Sequence, residues 1–369
     1  MEVQVKQLRE TLEILSPAVP RKPAIEALSY VRLGEGRVTA TDLEVAVAVD
    51  LDGADEDLLL PLKDTIGFLR YAPGMGTARI TGSKDRVTIT TGGMEATFDE
   101  VPPAEDFPPL PQVSPDNDGV INGDALVKAL IAVAPYAARE ETRPVLNGVY
   151  LNTEDGLEVV ATDGFRLAWE PVAGRLAIPS TIIPLKAVAI LKHLWERAAE
   201  AELSGVEDIA ELAFAKRLIR VGCDWNYLKF SFATVGLTMK TIDGTFPNYR
   251  QLIPSETATT VAVFAPDMER VIAQVMPVAK KGKGIVRLCW EEGSLLATAR
   301  DDGTEVAVPV QAQFEESGKV ALNVNYLIEY FKGKSGFVTM ATESGPSSPV
   351  LFTYQGKDNA LIMPMFVEW

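Results

Sequence analysis

The stretch A-T-D-G-F-R-L, residues 161–167, has the composition of a catalytic loop, because a carboxylate stands beside a glycine that permits a tight turn. The motif A-T-D also occurs at 40–42, and a divergent version, A-T-A-R-D-D-G, occurs at 297–303. Aspartate is common in turns because its carboxylate accepts hydrogen bonds from nearby backbone N–H groups. Three equivalent active sites in one chain would be unusual. We therefore interpret these aspartates as turn residues: Asp42, Asp163, and Asp301 or Asp302.

Other residues that could carry chemistry are few. His193 is the single histidine, and Cys223 and Cys289 are far apart without metal-ligating neighbours in the sequence. The stretch K-K-G-K-G, residues 280–284, does not follow a strand as a phosphate-binding loop must, so we interpret it as a basic loop after a helix. The sequence predicts a protein that is not an enzyme and needs no cofactor or metal. A hydrolase that uses carboxylates alone is the alternative.

Composition is that of a globular protein. The chain has 369 residues, of which 47% are hydrophobic and 23% charged, enough for two or three domains with cores of their own. Its two cysteines fit a reducing compartment. We see no apolar run long enough to span a membrane and no signal peptide, so we expect a cytoplasmic protein. The net charge of −16 argues against DNA binding over the whole surface.

Landmarks recur in the same order along the chain. The A-T-D motif is followed by L-P-L-K at 60–63 in its first occurrence and by I-P-L-K at 183–186 in its second. An amphipathic helix precedes each motif, and L-N-V-N at 322–325 follows the third. Such a period indicates internal repeats of domain size. The sequence predicts three domains, at 1–118, 119–254 and 255–369.

Each repeat contains signals of both helices and strands. Leu8, Leu12 and Leu15 recur at helical spacing and form an apolar stripe. Residues 43–51 alternate as a strand does, and 86–98 place Gly-Gly between two strands. The sequence predicts an α+β fold with helices packed on one face of antiparallel sheets. The six predicted helices are at 4–15, 61–72, 122–140, 184–199, 264–283 and 323–334.

Positive charge is concentrated in the predicted helices. Those six ranges hold 15 basic and 9 acidic residues, whereas the rest of the chain holds 20 basic and 42 acidic residues. On helix 184–199, Lys186, His193 and Arg197 are predicted to lie opposite the buried stripe. If such faces line one surface, that surface attracts a polyanion through phosphate contacts that do not depend on base sequence. Ordinary solvation of exposed helix faces is the alternative.

Several motifs together resemble the β subunit of bacterial DNA polymerase III, the β sliding clamp, over essentially the whole chain. Each motif alone is weak, and their joint order is specific. The motifs are T-R-P-V-L-N-G-V (142–149), V-A-T-D-G-F-R-L-A (160–168), D-G-T-F-P-N-Y-R-Q-L-I-P (243–254), N-V-N-Y (323–326) and M-P-M (363–365).

The resemblance implies three clamp domains per chain and a head-to-tail homodimer. The dimer would close as a ring, with helices lining a central channel and antiparallel sheets outside. Such a ring encircles double-stranded DNA and is a non-catalytic processivity factor in DNA replication. The implied partners are the DNA polymerase III α subunit, the clamp loader and other proteins with a clamp-binding motif. The alternatives are a specialised clamp paralogue and a peptide-binding scaffold that does not encircle DNA.

The resemblance also implies a peptide-binding pocket between the second and third domains. Phe165 stands where the family usually has histidine, and Phe366 where it usually has a basic residue, so we expect a more apolar pocket with a shifted peptide preference. The implied pocket residues are Leu146, Thr162, Gly164, Phe165, Arg166, Leu167, Pro247, Leu252, Asn323, Tyr326, Ser348, Ile362, Met363, Pro364 and Met365.

Two further sets of residues follow from the resemblance. The dimer interface would include Phe107 and Val278. The DNA-facing residues would be Lys22, Lys63, Arg70, Lys128, Arg139, Lys186, Lys192, Arg197, Lys280 and Lys281.

Overall fold

The computed structural model describes residues 1–83, 85–113, 119–140, 142–202, 218–254, 257–343 and 348–369. All six predicted helices are confirmed. The third ends at Val133 rather than near 140, because Pro135 cannot continue the helical hydrogen bonds and a 3-10 turn follows. The helices in these residues are α1 (Val5–Leu15), α2 (Leu62–Leu69), α3 (Gly123–Val133), α4 (Leu185–Glu202), α5 (Ala265–Lys281) and α6 (Val324–Phe331).

The described strands belong to three successive series. The first series contains β1 (Glu2–Gln4), β2 (Tyr30–Gly34), β3 (Arg37–Thr41), β4 (Val45–Asp50), β5 (Leu58–Pro61), β6 (Thr77–Ser83), β7 (Arg86–Thr91) and β8 (Met94–Asp99). The second contains β9 (Gly119–Asn122), β10 (Gly148–Asn152), β11 (Leu157–Thr162), β12 (Arg166–Val172), β13 (Thr181–Pro184), β14 (Leu218–Asp224), β15 (Tyr227–Phe232) and β16 (Val235–Lys240). The third contains β17 (Thr259–Phe264), β18 (Ile285–Glu291), β19 (Ser294–Asp301), β20 (Thr304–Phe314), β21 (Gly318–Asn323), β22 (Phe337–Thr342), β23 (Val350–Tyr354) and β24 (Lys357–Ile362).

The order of the described elements repeats three times. A strand and a helix are followed by four strands, a second helix and three strands, and this series starts at β1, at β9 and at β17. The order agrees with the three repeats read from the sequence. The division into three domains stays a prediction, because strands of neighbouring repeats share sheets.

The first of two compact units combines the first repeat with much of the second. It contains Met1–Ile131, Gly148–Glu158 and Pro171–Asp243. Strand β4 of one repeat pairs antiparallel with β16 of the next, in an eight-stranded sheet of order β5-β2-β3-β4-β16-β15-β14-β9. A four-stranded sheet has the order β1-β6-β7-β8.

The second unit contains Ala132–Asn147, Val159–Glu170 and Gly244–Trp369. Here Arg166–Ala168 of β12 pair antiparallel with Ile362–Ala360 of β24. The sheet continues from β24 in the order β24-β23-β22-β17-β20-β19-β18-β21. The α+β fold with antiparallel sheets is therefore confirmed in both units.

The helices bury the apolar stripes that their sequences predict. Leu8, Leu12 and Leu15 of α1 are fully buried, and the Asn122 carboxamide caps α3 by accepting the Ala125 N–H at 2.9 Å. Helix α4 buries its stripe residues Ala187, Val188, Leu191 and Leu194, while the Ala198 side chain lies outside the described residues.

One residue of α4 differs from its prediction. His193 is half-buried rather than on the exposed face, and its Nε2 is buried with no hydrogen-bond partner in the described structure. Trp195 on the same helix is also half-buried, donates its Nε1–H to Asp124 at 3.1 Å and packs edge-on against Phe232. No helix among the described residues is both long and apolar enough to cross a membrane.

The net positive charge of the predicted helix ranges comes from residues beside the helices, because the helices themselves have no net charge. As the structure bounds them, α1–α6 contain ten basic and ten acidic residues. The basic excess of the wider predicted ranges comes from residues that follow helix C-termini. Cations there offset the negative end of the helix dipole, so the charge pattern alone does not identify a DNA-binding surface. These flanking residues are Arg70, Arg139, Lys283, Lys332 and Lys334.

Candidate functional site

The A-T-D-G-F-R stretch forms a turn closed by side-chain hydrogen bonds. The Thr162 hydroxyl donates to Arg166 O at 2.7 Å and accepts the Gly164 N–H at 3.0 Å. Asp163 Oδ1 accepts the backbone N–H groups of Phe165 and Arg166 at 2.9 and 3.0 Å. Asp163 is thus a turn residue that fixes the backbone from which Phe165 and Arg166 project.

The first repeat builds the same turn from the same pair of residue types. Thr41 and Asp42 make the four equivalent hydrogen bonds, at 2.8 to 3.1 Å. In the third repeat, β19 continues to Asp301 and the chain reverses at Asp302 and Gly303, where Gly303 has a φ of 81°. The turn interpretation is confirmed in all three repeats, with side-chain capping by aspartate in the first two.

Gly164 permits this turn at a φ of 89°. We expect Gly164→Ala to lower the free energy of unfolding by about 1–2 kcal/mol, because an L-residue is strained in the left-handed region and the new Cβ would lie 2.9 Å from Arg143 Nη1. The control is Gly67→Ala in α2, where nothing lies within 4 Å and alanine should stabilise the helix by about 0.5–1 kcal/mol. Urea unfolding measures the free energy of unfolding of both variants. If Gly164→Ala and Gly67→Ala change it equally, the turn does not require glycine at position 164.

The Arg166 guanidinium is buried in a network of fixed partners. Its side chain is 8% exposed. It donates to Asp163 Oδ2 at 3.0 Å, to Glu329 Oε2 at 2.5 Å and to Pro135 O at 2.7 Å, and lies 5.0 Å from the ring centroid of Tyr136. Because these contacts engage all three guanidinium nitrogens, Arg166 acts as a scaffold here rather than as a free polar anchor.

Tyr326 of α6 is the residue that this scaffold orients. Its ring centroid lies 4.3 Å from Arg166 Cζ. Burial, followed by the Asp163 carboxylate, raises the pKa of Tyr326 to about 12. The hydroxyl is protonated at neutral pH, and the Arg166 guanidinium over the ring helps to hold the ring in place.

Residues 363–369 run beside the same turn. The Met363 N–H donates to Phe165 O at 2.8 Å, and the Met365 N–H donates to Ala321 O at 2.7 Å. Phe165 and Met363 are 58% and 38% exposed. The structure thus brings together the apolar side chains of two segments far apart in sequence, next to the oriented Tyr326.

The other pocket residues implied by resemblance lie in the same unit. Leu146, Thr162, Leu167 and Ile362 are buried, Ser348, Pro364 and Met365 are half-buried, and Pro247 and Leu252 are exposed on the segment after Gly244. The Asn323 side chain caps α6 by accepting the Asn325 N–H at 2.9 Å. The sequence did not indicate the residues that hold Arg166, because Glu329 is 163 positions away and Tyr136 lies in a 3-10 turn that the sequence predicted as part of a helix.

The ten basic residues implied to face DNA are all exposed. Among them, the Lys186 ammonium pairs with the buried Asp42 carboxylate, and Lys192 Nζ lies 3.8 Å from Glu196 Oε1. Lys186 therefore also ties α4 to the first A-T-D turn. Of the two implied interface residues, Phe107 is buried within its own chain and Val278 is half-buried.

Comparison with known proteins gives one consistent result. Residues 120–248 match the family described as the DNA polymerase III beta subunit, central domain. The beta sliding clamp of Synechococcus elongatus is 27% identical over 97% of both chains. A solved DNA polymerase sliding clamp from Pseudomonas aeruginosa, 21% identical, aligns with a TM-score of 0.86 over 100% of this chain and 99% of that one. A Pseudomonas aeruginosa sliding clamp bound to griselimycin aligns with a TM-score of 0.84 at 22% identity, over 100% of this chain and 99% of that one.

Proposed function

We propose that this chain, which is a sliding clamp of the bacterial DNA polymerase III β subunit family, closes with a second copy of itself into a ring around double-stranded DNA. In this proposal the three predicted domains of each chain give six in the ring. One observation supports ring closure. A pairing between two strands, here called the junction, joins each repeat to the next. The two strands that would form a third junction, one in the first repeat and one in the third, have unpaired edges in the described part of the chain.

The junction has the same form at both places where it is complete. Val45, Val47 and Val49 of β4 lie opposite Met239, Leu237 and Val235 of β16, and all six side chains are buried. At the second junction, Arg166 and Ala168 of β12 lie opposite Ile362 and Ala360 of β24. The strand after the A-T-D turn of one repeat therefore pairs with the last strand of the next repeat.

The two strands that would form a third junction have unpaired edges. Thr304–Gln311 of β20 pair with β19, and no strand among the described residues covers the opposite edge of that stretch. Strand β8 ends its four-stranded sheet. Val306 and Val308, like Ala96 and Phe98, are half-exposed, although their counterparts in the complete junctions are buried. Exposed apolar edges of this kind are sites of strand pairing.

Pairing β20 of one chain with β8 of a second closes a two-chain ring. The register of the complete junctions then places Val306 opposite Phe98 and Val308 opposite Ala96. Because each chain offers one strand of each kind, the contact is head-to-tail. In this proposal the ring closes after two subunits. Val278 and Phe107 are further proposed members of this interface.

A closed ring holds DNA by topology rather than by tight phosphate contacts. Exposed basic residues, among them Lys128, Lys280 and Lys281, would supply weak contacts to the duplex. After loading by a clamp loader, we expect the protein to co-elute with a nicked circular plasmid in moderate salt and to leave it once the plasmid is cut. Equal retention on circular and linear DNA would indicate ordinary binding and contradict encirclement.

The surface formed by Phe165, Tyr326, Met363 and Met365 is proposed to bind short peptides of replication proteins. Its support is the exposed, adaptable apolar surface that methionine provides beside a ring fixed by Arg166. The proposed partners are the DNA polymerase III α subunit, the clamp loader and other proteins with a clamp-binding motif. The protein itself would catalyse no reaction and would act in the cytoplasm as the processivity factor of the polymerase III holoenzyme.

Replacing Met363 and Met365 together with alanine should weaken griselimycin binding by about tenfold or more, because the ligand would lose most of its apolar contact there. Isothermal titration measures the affinity, and sedimentation should show an unchanged oligomer. Met75→Ala, at a fully exposed position of the first unit, is the control and should change neither. An unaltered affinity in the double variant would remove the pocket assignment.

A further inference from the structure

A cleft of about 340 Å³ lies between residues 364–369 and β21 in the second unit. Phe366, Val367 and Trp369 line one side, and Lys319 and Ala321 of β21 line the other. The Met365 N–H bond to Ala321 O, at 2.7 Å, ties the two sides together at one end. The cleft is therefore bounded by two segments that are hydrogen-bonded to each other within the folded unit.

Two large aromatic side chains stand at this cleft and are unusually exposed. Phe366 is 85% exposed and Trp369 is 50% exposed. Trp369 is held in place by Lys319, whose Nζ lies 4.9 Å from the indole centroid. Aromatic residues in fixed positions lose little conformational entropy on binding and commonly serve as anchors in interfaces.

The cleft is continuous with the proposed peptide pocket. Ser348, Pro364 and Met365 belong to both. A peptide that contacts Met363 and Met365 and continues along the segment therefore reaches Phe366 and Trp369. Beyond these residues, the cleft carries one basic and one acidic side chain, Lys319 and Glu343, so its lining has no net charge that would select an ion.

We propose that this cleft, the aromatic cleft, binds a further apolar or aromatic side chain of the same peptide that occupies the pocket, an inference that rests on the proposed function. Its volume is at the lower end for ligand sites, which suits one or two side chains rather than a separate ligand. Partner peptides of this clamp would then be longer than the pocket alone requires, with an apolar residue beyond the pocket-binding segment. Phe366 and Trp369 would select for that residue.

Fluorescence polarisation with three labelled peptides tests the inference. One is Ala-Leu-Ser-Leu-Phe, and the others carry Gly-Leu-Phe added at its N-terminal or its C-terminal end. We expect one of the extended peptides to bind the unaltered protein about tenfold more tightly than the short one. The variant Phe366→Ser with Trp369→Ser should lose that gain, and Trp369→Ser alone should lose part of it while binding the short peptide equally well. Trp225→Ser, at a fully exposed position of the first unit, should keep the gain.

The outcomes separate the inference from the proposed function. If the short peptide binds but neither extension gains affinity, the aromatic cleft is not a peptide site and the pocket stands. A gain that Trp225→Ser also loses, or that the double variant keeps, overturns the cleft as well. If neither the peptides nor griselimycin bind, the proposed pocket fails and the aromatic cleft fails with it.

Discussion

Val308→Lys is expected to convert the proposed dimer, twice 40.0 kDa, into a monomer. In the proposed ring, the Val308 side chain packs opposite Ala96 of the second copy, as Val47 packs opposite Leu237 within the chain. A lysine there would lose its hydration without gaining an acidic partner. Burying an unpaired charge costs about 3–5 kcal/mol, so the dimer should weaken roughly a thousandfold. Light scattering across a dilution series measures the change.

The control for Val308→Lys is Ala307→Lys on the same strand. Side chains alternate along a strand, so residue 307 points to the opposite face, and Ala307 is exposed. The control should remain dimeric. Ala96→Lys on β8 should also yield monomer, because it alters the same contact from the other side. If Val308→Lys is monomeric and has the melting temperature of the unaltered chain, its effect lies at the interface between chains. If Val308→Lys remains a dimer, the β20–β8 junction is ruled out.

Arg166→Leu is expected to produce the largest loss of stability in the second unit. The substitution keeps much of the apolar volume but leaves the Asp163 carboxylate, 16% exposed, without its cation. Removing one partner of a buried ion pair typically costs about 3–5 kcal/mol. Griselimycin should also bind more weakly, because the Tyr326 ring would lose its fixed position. Urea unfolding followed by titration measures both effects.

The control for Arg166→Leu is Arg32→Leu. Arg32 makes an equally well-formed pair, with Asp57 at 2.7 and 2.8 Å, but both side chains are a third or more exposed. Solvent screens such a pair, so its loss should cost about 0–1 kcal/mol. If Arg166→Leu and Arg32→Leu lower the free energy of unfolding by similar amounts, burial does not make the Arg166 ion pair more stabilising than an exposed one.

Local sequence signals predicted the elements well. Apolar residues at helical spacing identified α1 and α4, and Gly-Gly identified the hairpin between β7 and β8, because these structures depend on neighbours in the chain. The Asp42 and Asp163 turns were predicted for the same reason. In the third repeat the chain reverses at Asp302 and Gly303, so the structure selects Asp302 from the two aspartates that the sequence left open.

The candidate site depended on contacts that no local pattern contains. Glu329 and Pro135 hold Arg166 from positions distant in sequence, and only the pairing of β12 with β24 places Met363 beside Phe165. Lys186 looked like a free cation on a helix face, yet its partner Asp42 lies 144 residues earlier. The C-terminal ends of α2, α3, α5 and α6 were placed too late, and the basic residues after them were counted with the helices, whereas the end of α4 was placed too early.

Single-particle electron microscopy of the unaltered protein tests ring closure most directly. We predict class averages with two-fold symmetry and a central opening wide enough for a DNA duplex, and a Val308→Lys sample that lacks such particles. Unaltered protein that appears as solid particles of a single chain would contradict the ring.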